Sequence, residues 1–109
     1  MFGGMKGMGD LMKLMGQAGQ IKENMAQAQA RARNRTAVGE SGAGLVKVTA
    51  NGIGEIVSVQ VDPQVLQDPE TLGPLVAGAA NAALTKGREI LSEETRTALG
   101  GIDLPPGLI

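Results

Sequence analysis

Residues 45–61 have the sequence LVKVTANGIGEIVSVQV, in which two runs of β-branched residues flank an Asn-Gly pair. Val and Ile favour strands, and Asn51-Gly52 is the strongest short-range signal for a two-residue hairpin turn. With that turn, Val46 would lie opposite Val57. The pattern therefore predicts a hairpin with one buried and one mostly solvated face. Its predicted core face holds Val46, Val48, Ala50, Ile53, Val57 and Val59.

A glycine-rich stretch, VGESGAG, precedes this hairpin at residues 38–44. Its three glycines suggest a turn between a short first strand and the longer second one. A phosphate-binding loop would instead need Lys followed by Ser or Thr at the start of a helix, whereas these glycines lead into a strand. We therefore predict a structural turn here.

A heptad pattern occupies the region before the strands. Its apolar residues alternate between spacings of three and four, and they are Leu11, Leu14, Ala18, Ile21, Met25, Ala28 and Ala32. This pattern predicts an amphipathic helix of about 25 residues, roughly 37 Å long. Gly16 and Gly19 each cost such a helix about 1 kcal/mol, so packing must hold it. The glycine density of residues 1–9 predicts a flexible N-terminus.

A second long helix is predicted after the hairpin, which ends at Asp62-Pro63. Asp68 is a suitable N-cap, and Pro69 suits the first helical position. Gly87 interrupts the apolar side of this helix and predicts a close neighbour there. Gly100-Gly101 should end the helix, with an extended tail over residues 102–109. The apolar side consists of Leu72, Leu75, Val76, Ala79, Ala80, Ala83, Ile90 and Leu91.

These elements predict one α+β domain over residues 1–109, in the order helix, three-stranded antiparallel sheet, helix. The sheet is too small to cover the apolar stripes of two long helices. We therefore expect a twofold homodimer from which the long helices project. The expected dimer interface includes Leu14, Ile21 and Met25, because large apolar residues would otherwise lie exposed on a projecting helix.

The composition excludes several function classes. The chain has no Cys and no His, which removes thiol nucleophiles, imidazole bases and the common zinc sites. Glu93 and Glu94 are neighbours on a helix and diverge by about 100°, so they do not form a catalytic pair. We expect no enzyme activity, cofactor, metal or small-molecule substrate. No apolar run suits a signal peptide or a membrane span, so we expect a cytoplasmic protein without a membrane partner.

The charges are distributed unevenly along the chain. Residues 1–35 hold six basic residues against two carboxylates, a net charge of +4, whereas residues 36–109 hold four against nine, or −5. The first third is thus suited to face a polyanion, although such charges often only keep a helix soluble. With one Phe and no Trp or Tyr, the chain lacks platforms for stacking single-stranded bases, so any nucleic-acid binding should favour duplex backbone.

Several motifs together resemble the YbaB/EbfC family. They are the opening Met1-Phe2-Gly3-Gly4, residues 39–48 followed by Asn51-Gly52 and Val61-Asp62-Pro63, the helical residues 75–83, and the tail Leu104-Pro105-Pro106-Gly107. The resemblance covers almost the whole chain and implies a small bacterial dimer that binds DNA, associates with the nucleoid and has helices projecting like tweezers. Departures from the family pattern are Ala82, where an acidic residue is usual, and several Gln and Ala residues in the first helix.

The resemblance and the charge distribution predict binding of double-stranded DNA, mainly through phosphates, with a role in nucleoid organisation or gene regulation. A polar stripe of the first helix runs beside the heptad pattern, through Lys13, Gln17, Gln20, Asn24, Gln27 and Arg31. The acidic second helix, with Glu89, Glu93 and Glu94, should turn away from DNA. The predicted DNA contacts are Lys13, Lys22, Arg31, Arg33 and Arg35.

The alternative function is a protein-interaction or chaperone-like adaptor. Methionines at positions 1, 5, 8, 12 and 15 follow a 4-3-4-3 spacing, which would give the first helix an adaptable apolar surface. A helix core is the simpler interpretation of the same spacing. Salt-sensitive binding of unrelated duplexes would distinguish the DNA-binding function from the adaptor.

Overall fold

The computed structural model describes the backbone of residues 4–100 and the side chains of residue 12 and residues 15–100. The elements are α1 (Gly4–Asn34), β1 (Thr36–Ser41), β2 (Val46–Asn51), β3 (Ile56–Val61), a short 3₁₀ helix (Val65–Gln67) and α2 (Pro69–Ala98). This is the predicted α+β order. The three strands form an antiparallel sheet in the order β1-β2-β3.

The core lies between α2 and the β1–β2 half of the sheet. Val46, Val48 and Ala50 of β2 are fully buried against Ala79 and Ala83 of α2. The close approach of α2 to β1 depends on Gly39, because a Cβ atom there would collide with the backbone of Ala79 and Ala83. By contrast, α2 barely reaches β3. The helix therefore covers only part of the sheet.

The predicted hairpin register was wrong. Val46 pairs with Val61, not Val57, and a bulge interrupts the β2–β3 ladder beside Ala50. The turn is longer than two residues because the side chain of Asn51 bonds within it: Asn51 Oδ1 accepts from the backbone N–H of Ile53 and of Glu55, at 3.1 and 3.0 Å. The backbone N–H of Asn51 also donates to the carbonyl oxygen of Glu55 at 2.9 Å.

The positive φ angle that this turn requires is supplied by Gly54, with a φ of 85°, rather than by Gly52. Gly52 is buried, and its lack of a side chain serves packing. Between β1 and β2, the predicted turn is confirmed, with positive φ at Gly42, Ala43 and Gly44.

Both ends of α2 follow the predicted signals. Asp68 is the N-cap, where Oδ1 accepts from the backbone N–H of Thr71 at 3.4 Å and Oδ2 from its hydroxyl at 2.6 Å. These hydrogen bonds hold the pKa of Asp68 below its ordinary value. At the other end, Gly100 takes the left-handed conformation that commonly follows a helix. The close neighbour predicted at Gly87 is the carbonyl oxygen of Asn51.

The helix α1 begins at Gly4, seven residues before the expected start at Leu11. Its C-terminal part packs on α2, with Ala28 and Ala32 fully buried. Asn24 Nδ2 reaches the carbonyl oxygen of Ala98, near the end of α2, at 3.4 Å. The earlier residues 4–23, here called the projecting segment, therefore extend about 30 Å past that point. Neither helix has an apolar stretch long enough to cross a membrane over the length that the structure describes.

The predicted flexibility of residues 1–9 stays a prediction. The predicted tail, residues 102–109, lies outside the described residues.

Candidate nucleic-acid interface

Three arginines cluster where α1 ends. Arg31 and Arg33 lie in its last turn, and Arg35 follows immediately. Because α1 runs antiparallel to α2, this end of α1 lies beside the part of α2 that carries Glu93 and Glu94. The helix packing that buries Ala28 and Ala32 thus also sets the surroundings of the arginines.

Two of the three arginines bind carboxylates of α2. Arg31 Nε donates to Glu94 Oε2 at 2.7 Å. Arg35 donates through one terminal nitrogen to Glu94 Oε1 and through the other to Glu93 Oε2, both at 3.0 Å. Glu94 therefore bridges Arg31 and Arg35, using one oxygen for each. We call Arg31, Arg35, Glu93 and Glu94 the ion-pair cluster.

The pKa values of Glu94 and Arg35 shift in the directions that these contacts require. The hydrogen bond from Arg31 is the main cause that lowers the pKa of Glu94, and the bond from Arg35 adds to it. The carboxylates of Glu93 and then Glu94 raise the pKa of Arg35. Glu94 and Arg35 are consequently charged near neutral pH.

Arg33 has a looser contact on the other flank of α1. Its Nε lies 3.6 Å from Glu55 Oε1, and its side chain is 66% exposed. Glu55 belongs to the turn before β3 and is held there because its Oε1 accepts from Asn51 Nδ2 at 2.7 Å. Arg33 is the most exposed arginine of the three.

The acidic side chains expected to turn away from DNA, Glu93 and Glu94, lie against two of the arginines predicted to bind it. Glu93 and Glu94 face α1, because α1 packs on the α2 surface beside them. The exposed fraction of the side chain is 45% for Arg31, 44% for Arg35 and only 14% for Glu94. The arginines thus remain open to solvent, but their charges are partly balanced within the chain.

The lysines predicted for the site lie further along α1. Lys22 is exposed on the projecting segment and makes no ion pair with any side chain that the structure describes. The side chain of Lys13 lies outside the described set. Part of the predicted polar stripe is used within the chain, because Gln20 donates to Asn24 Oδ1 at 3.0 Å and Asn24 donates to α2.

Sequence reasoning did not include the basic residues of α2. Lys86 donates to the carbonyl oxygen of Val38 at 2.8 Å, and Arg88 donates to the hydroxyl of Thr85 at 3.1 Å. Arg96 is exposed in the last turn of α2. Their segment has a net negative charge, so the charge count alone gave no signal for them.

The residues predicted for the dimer interface have different surroundings. Ile21 is 42% exposed on the projecting segment, and Met25 is half-buried near the end of α2. The side chain of Leu14 lies outside the described set. Of the two described side chains, Ile21 is thus the one that stays exposed within the single chain.

A second apolar surface lies on β3, because Ile53 and Val59, which were predicted for the core face of the hairpin, are exposed in the single chain. Val59 lies opposite the buried Val48 and thus shares its face of the sheet, yet it is 47% exposed because α2 stops short of β3. Residues on or beside β3 with exposed side chains form what we call the β3 surface. They are Ile53 in the preceding turn and Ile56, Val57 and Val59 on the strand.

An open groove of about 750 Å³ lies between α1, the turn before β3 and α2. Gln29 and Arg33 line its polar side, and Ala30, Ile53 and Leu91 line its apolar side.

Polar side chains with possible catalytic chemistry have structural partners in the described part of the chain. Glu93 and Glu94 bind arginines, and Ser41 donates its hydroxyl to the carbonyl oxygen of Leu75. No group of three or more acidic side chains within the described part of the chain could hold a metal ion.

The protein is a small α+β protein with a charged helical surface. Its first long helix ends in exposed arginines and packs beside a small sheet. Comparison with known proteins identifies the family to which the chain belongs. The model of the YbaB/EbfC DNA-binding family matches residues 8–102, and the chain belongs to this family.

Two relatives illustrate the similarity. A nucleoid-associated protein of Maricaulis maris is 41% identical over 103 residues, covering 93% of this chain and 96% of that protein. The crystal structure of an uncharacterized protein from Helicobacter pylori has a TM-score of 0.60 at 26% identity, covering 74% of this chain and 93% of the other. The second comparison supports the arrangement of helix, sheet and helix.

Proposed function

We propose that the protein is a nucleoid-associated protein that binds double-stranded DNA mainly through phosphates and serves nucleoid organisation or gene regulation. Membership of a DNA-binding family carries this proposal, and the relative from Maricaulis maris is itself named as nucleoid-associated. DNA in the nucleoid implies a cytoplasmic location. Few aromatic residues and several exposed arginines suit duplex backbone better than single strands.

The proposed contact surface is the C-terminal part of α1 and the segment before it. Arg31, Arg33 and Arg35 have side chains that are 44–66% exposed, so phosphates can reach each guanidinium group. Lys22 and Lys13 extend the proposed contact surface along the same helix toward its N-terminus. Arg is suited to this task because its planar group binds phosphate oxygens through two N–H groups.

We also propose that the protein is a homodimer. The β3 surface and the described apolar residues of the projecting segment have large apolar side chains that are 39–72% exposed, and contiguous exposed apolar residues are typical of an interaction surface. A second copy covers them by twofold symmetry, and Leu14, Ile21 and Met25 are the proposed contacts on α1. A dimer presents the arginine cluster twice, so several phosphates are engaged at once.

One observation favours the alternative function of a protein-interaction adaptor. Met12 and Met15 are 72% and 69% exposed on the projecting segment. Flexible methionine side chains on an open helix suit binding to varied apolar partners.

The test is an electrophoretic shift on unrelated duplexes over a series of salt concentrations. DNA binding through phosphates predicts retardation of every duplex, with an affinity that falls steeply with salt. An adaptor predicts no salt-sensitive retardation. Failure of the unmodified protein to bind any duplex at low salt would contradict the proposed function.

The site is tested by replacing Arg31, Arg33 and Arg35 with Gln. This variant should bind all duplexes with similarly reduced affinity. Each lost phosphate contact should reduce the slope of log affinity against log salt by about 0.9. The matched control replaces Lys86, Arg88 and Arg96 with Gln, which removes the same charge from the second helix. An equal effect of both variants would show that only net charge matters and would overturn the site assignment.

A further inference from the structure

The ion-pair cluster places carboxylates on the same arginine groups that the proposed function assigns to DNA phosphates. Arg35 uses both of its terminal nitrogens for Glu93 and Glu94, and Arg31 uses Nε for Glu94. A carboxylate and a phosphate bind the same edges of a guanidinium group. The two anions therefore compete for the donors that the carboxylates occupy.

We propose that Glu93 and Glu94 are intramolecular competitors of DNA, which occupy Arg31 and Arg35 in the free protein and lower its affinity for duplexes. This inference rests on the proposed function, since it requires that DNA binds at the arginines. It assigns to two acidic residues of α2 a role in setting how tightly the protein binds DNA.

The exposure of the four side chains shows that the pairs can open. Glu93 and Arg35 are 59% and 44% exposed, and exposed ion pairs are individually weak, so a closely spaced row of phosphates can displace them. Glu94 is different because its side chain is only 14% exposed and it bridges two arginines. When DNA phosphates approach, the contact of Arg35 with Glu93 therefore opens first, and the contacts of Glu94 persist longer.

The helix packing keeps these carboxylates in place after the pairs open. Thr95 and Ala98 of α2 are buried, as are Ala28 and Ala32 of α1, so the two helices stay together. Glu93 and Glu94 then remain beside the bound arginines and repel the phosphates. Competition and repulsion therefore act in the same direction.

The experiment replaces Glu93 and Glu94 together with Gln and measures affinity for one duplex over a salt series. The variant should bind about tenfold more tightly at moderate salt, because Arg31 and Arg35 no longer have to leave a carboxylate. Its slope of log affinity against log salt should steepen by up to about 0.9 for each arginine that gains a phosphate contact.

The matched control is Glu70→Gln combined with Glu89→Gln. It removes the same two charges from exposed positions of α2 that make no ion pair among the described side chains. It should tighten binding clearly less than the first variant and leave the salt slope unchanged. If both variants tighten binding equally, competition is overturned and a general charge effect takes its place.

A double-mutant cycle isolates the competition. In a protein that carries Arg31→Gln and Arg35→Gln, replacing Glu93 and Glu94 should gain no more than the control does. The full gain in that background would overturn the inference. If the double glutamate variant loses its cooperative unfolding transition, Glu93→Gln alone is tested in its place, because Glu93 is the more exposed carboxylate. This single variant should bind DNA several-fold more tightly. An unchanged affinity would contradict competition.

The outcomes for the unmodified protein separate the two proposals. Binding of no duplex at low salt would remove the proposed function and this inference with it. Salt-sensitive binding that Glu93 and Glu94 do not affect would leave the function intact and overturn only the competition.

Discussion

The backbone N–H of Gly52 donates a 2.8 Å hydrogen bond to the carbonyl oxygen of Ala32. This bond ties the turn after β2 to the last turns of α1. A Cβ atom on Gly52 would lie 2.9 Å from Ile90 Cγ2, so α2 meets the same point. Three elements thus converge on a residue without a side chain.

We predict that Gly52→Ala destabilises the fold by about 1–3 kcal/mol, because the added methyl group overpacks a buried position. Its Cβ atom would lie 2.8 Å from both the Cβ and the carbonyl oxygen of Ala32. The physical reason differs from the one that the Asn-Gly pattern suggests, since Gly52 does not have a positive φ. Urea unfolding measures the effect, and an unchanged free energy of unfolding would show that the contact relaxes at no cost.

Gly87→Ala should also destabilise the protein, although alanine normally stabilises a helix by about 1 kcal/mol relative to glycine. The added Cβ atom would meet the carbonyl oxygen of Asn51, so α2 would have to move away from the turn. The matched control is Gly19→Ala on the projecting segment, where no atom beyond the local helix backbone lies within 4 Å of the new Cβ.

Circular dichroism and thermal unfolding compare these two variants. The control should gain helical signal and keep the thermal midpoint, whereas Gly87→Ala should lower the midpoint. A higher midpoint for Gly87→Ala would contradict the close packing of α2 on the turn.

The ion-pair cluster predicts a loss of stability in acid. The pKa of Glu94 is lower in the folded protein than its ordinary value. The ionised carboxylate therefore contributes fully to the free energy of unfolding above the ordinary glutamate pKa of about 4.3, and this contribution is lost as the pH falls below that value. Glu94→Gln should therefore flatten the fall of the unfolding free energy between about pH 5 and about pH 3. Urea unfolding at several pH values measures this slope, with Glu89→Gln as a control that should keep it. An identical slope for Glu94→Gln and the unmodified protein would contradict the prediction.

The proposed dimer predicts that charges on either apolar surface weaken association. Val59→Asp on the β3 surface and Ile21→Asp on the projecting segment each place a carboxylate where a partner would bury it. Ser58→Asp is the control, because Ser58 lies opposite Thr49 on the other face of the sheet. Sedimentation equilibrium should give a dimer for the unmodified protein and the control, and a larger monomer fraction for the other two. A stable monomer for the unmodified protein at micromolar concentration would refute the dimer.

Local signals in the sequence determined the order and the ends of most elements. Asp68 and Pro69 mark the start of α2 because an N-cap acceptor and a fixed φ act within one helical turn. The glycines at 42 and 44 likewise mark a turn through their own backbone conformation. Such signals involve neighbours in the chain, so sequence alone was sufficient for them.

The pairing of the hairpin depended on more than its turn residues. Asn51-Gly52 predicted two turn residues, but the Asn51 side chain binds the backbone of Ile53 and Glu55 and lengthens the turn. Packing also affects the shape of the turn, because the backbone N–H of Gly52 binds the carbonyl oxygen of Ala32 in α1. A local rule could not include a contact with a residue from another element.

The sequence by itself determined that this protein has an arginine cluster at the end of its first helix, because the charges of neighbouring residues are fixed by their identity. Only the tertiary structure decided that Glu94, 63 residues from Arg31, lies against it. Which charges meet is set by the antiparallel packing of α1 on α2, which follows from the burial of Ala28 and Ala32 and not from the charges themselves. The helix packing brings the acidic residues of the second helix to the arginines of the first, since apolar burial stabilises the fold more than exposed ion pairs do.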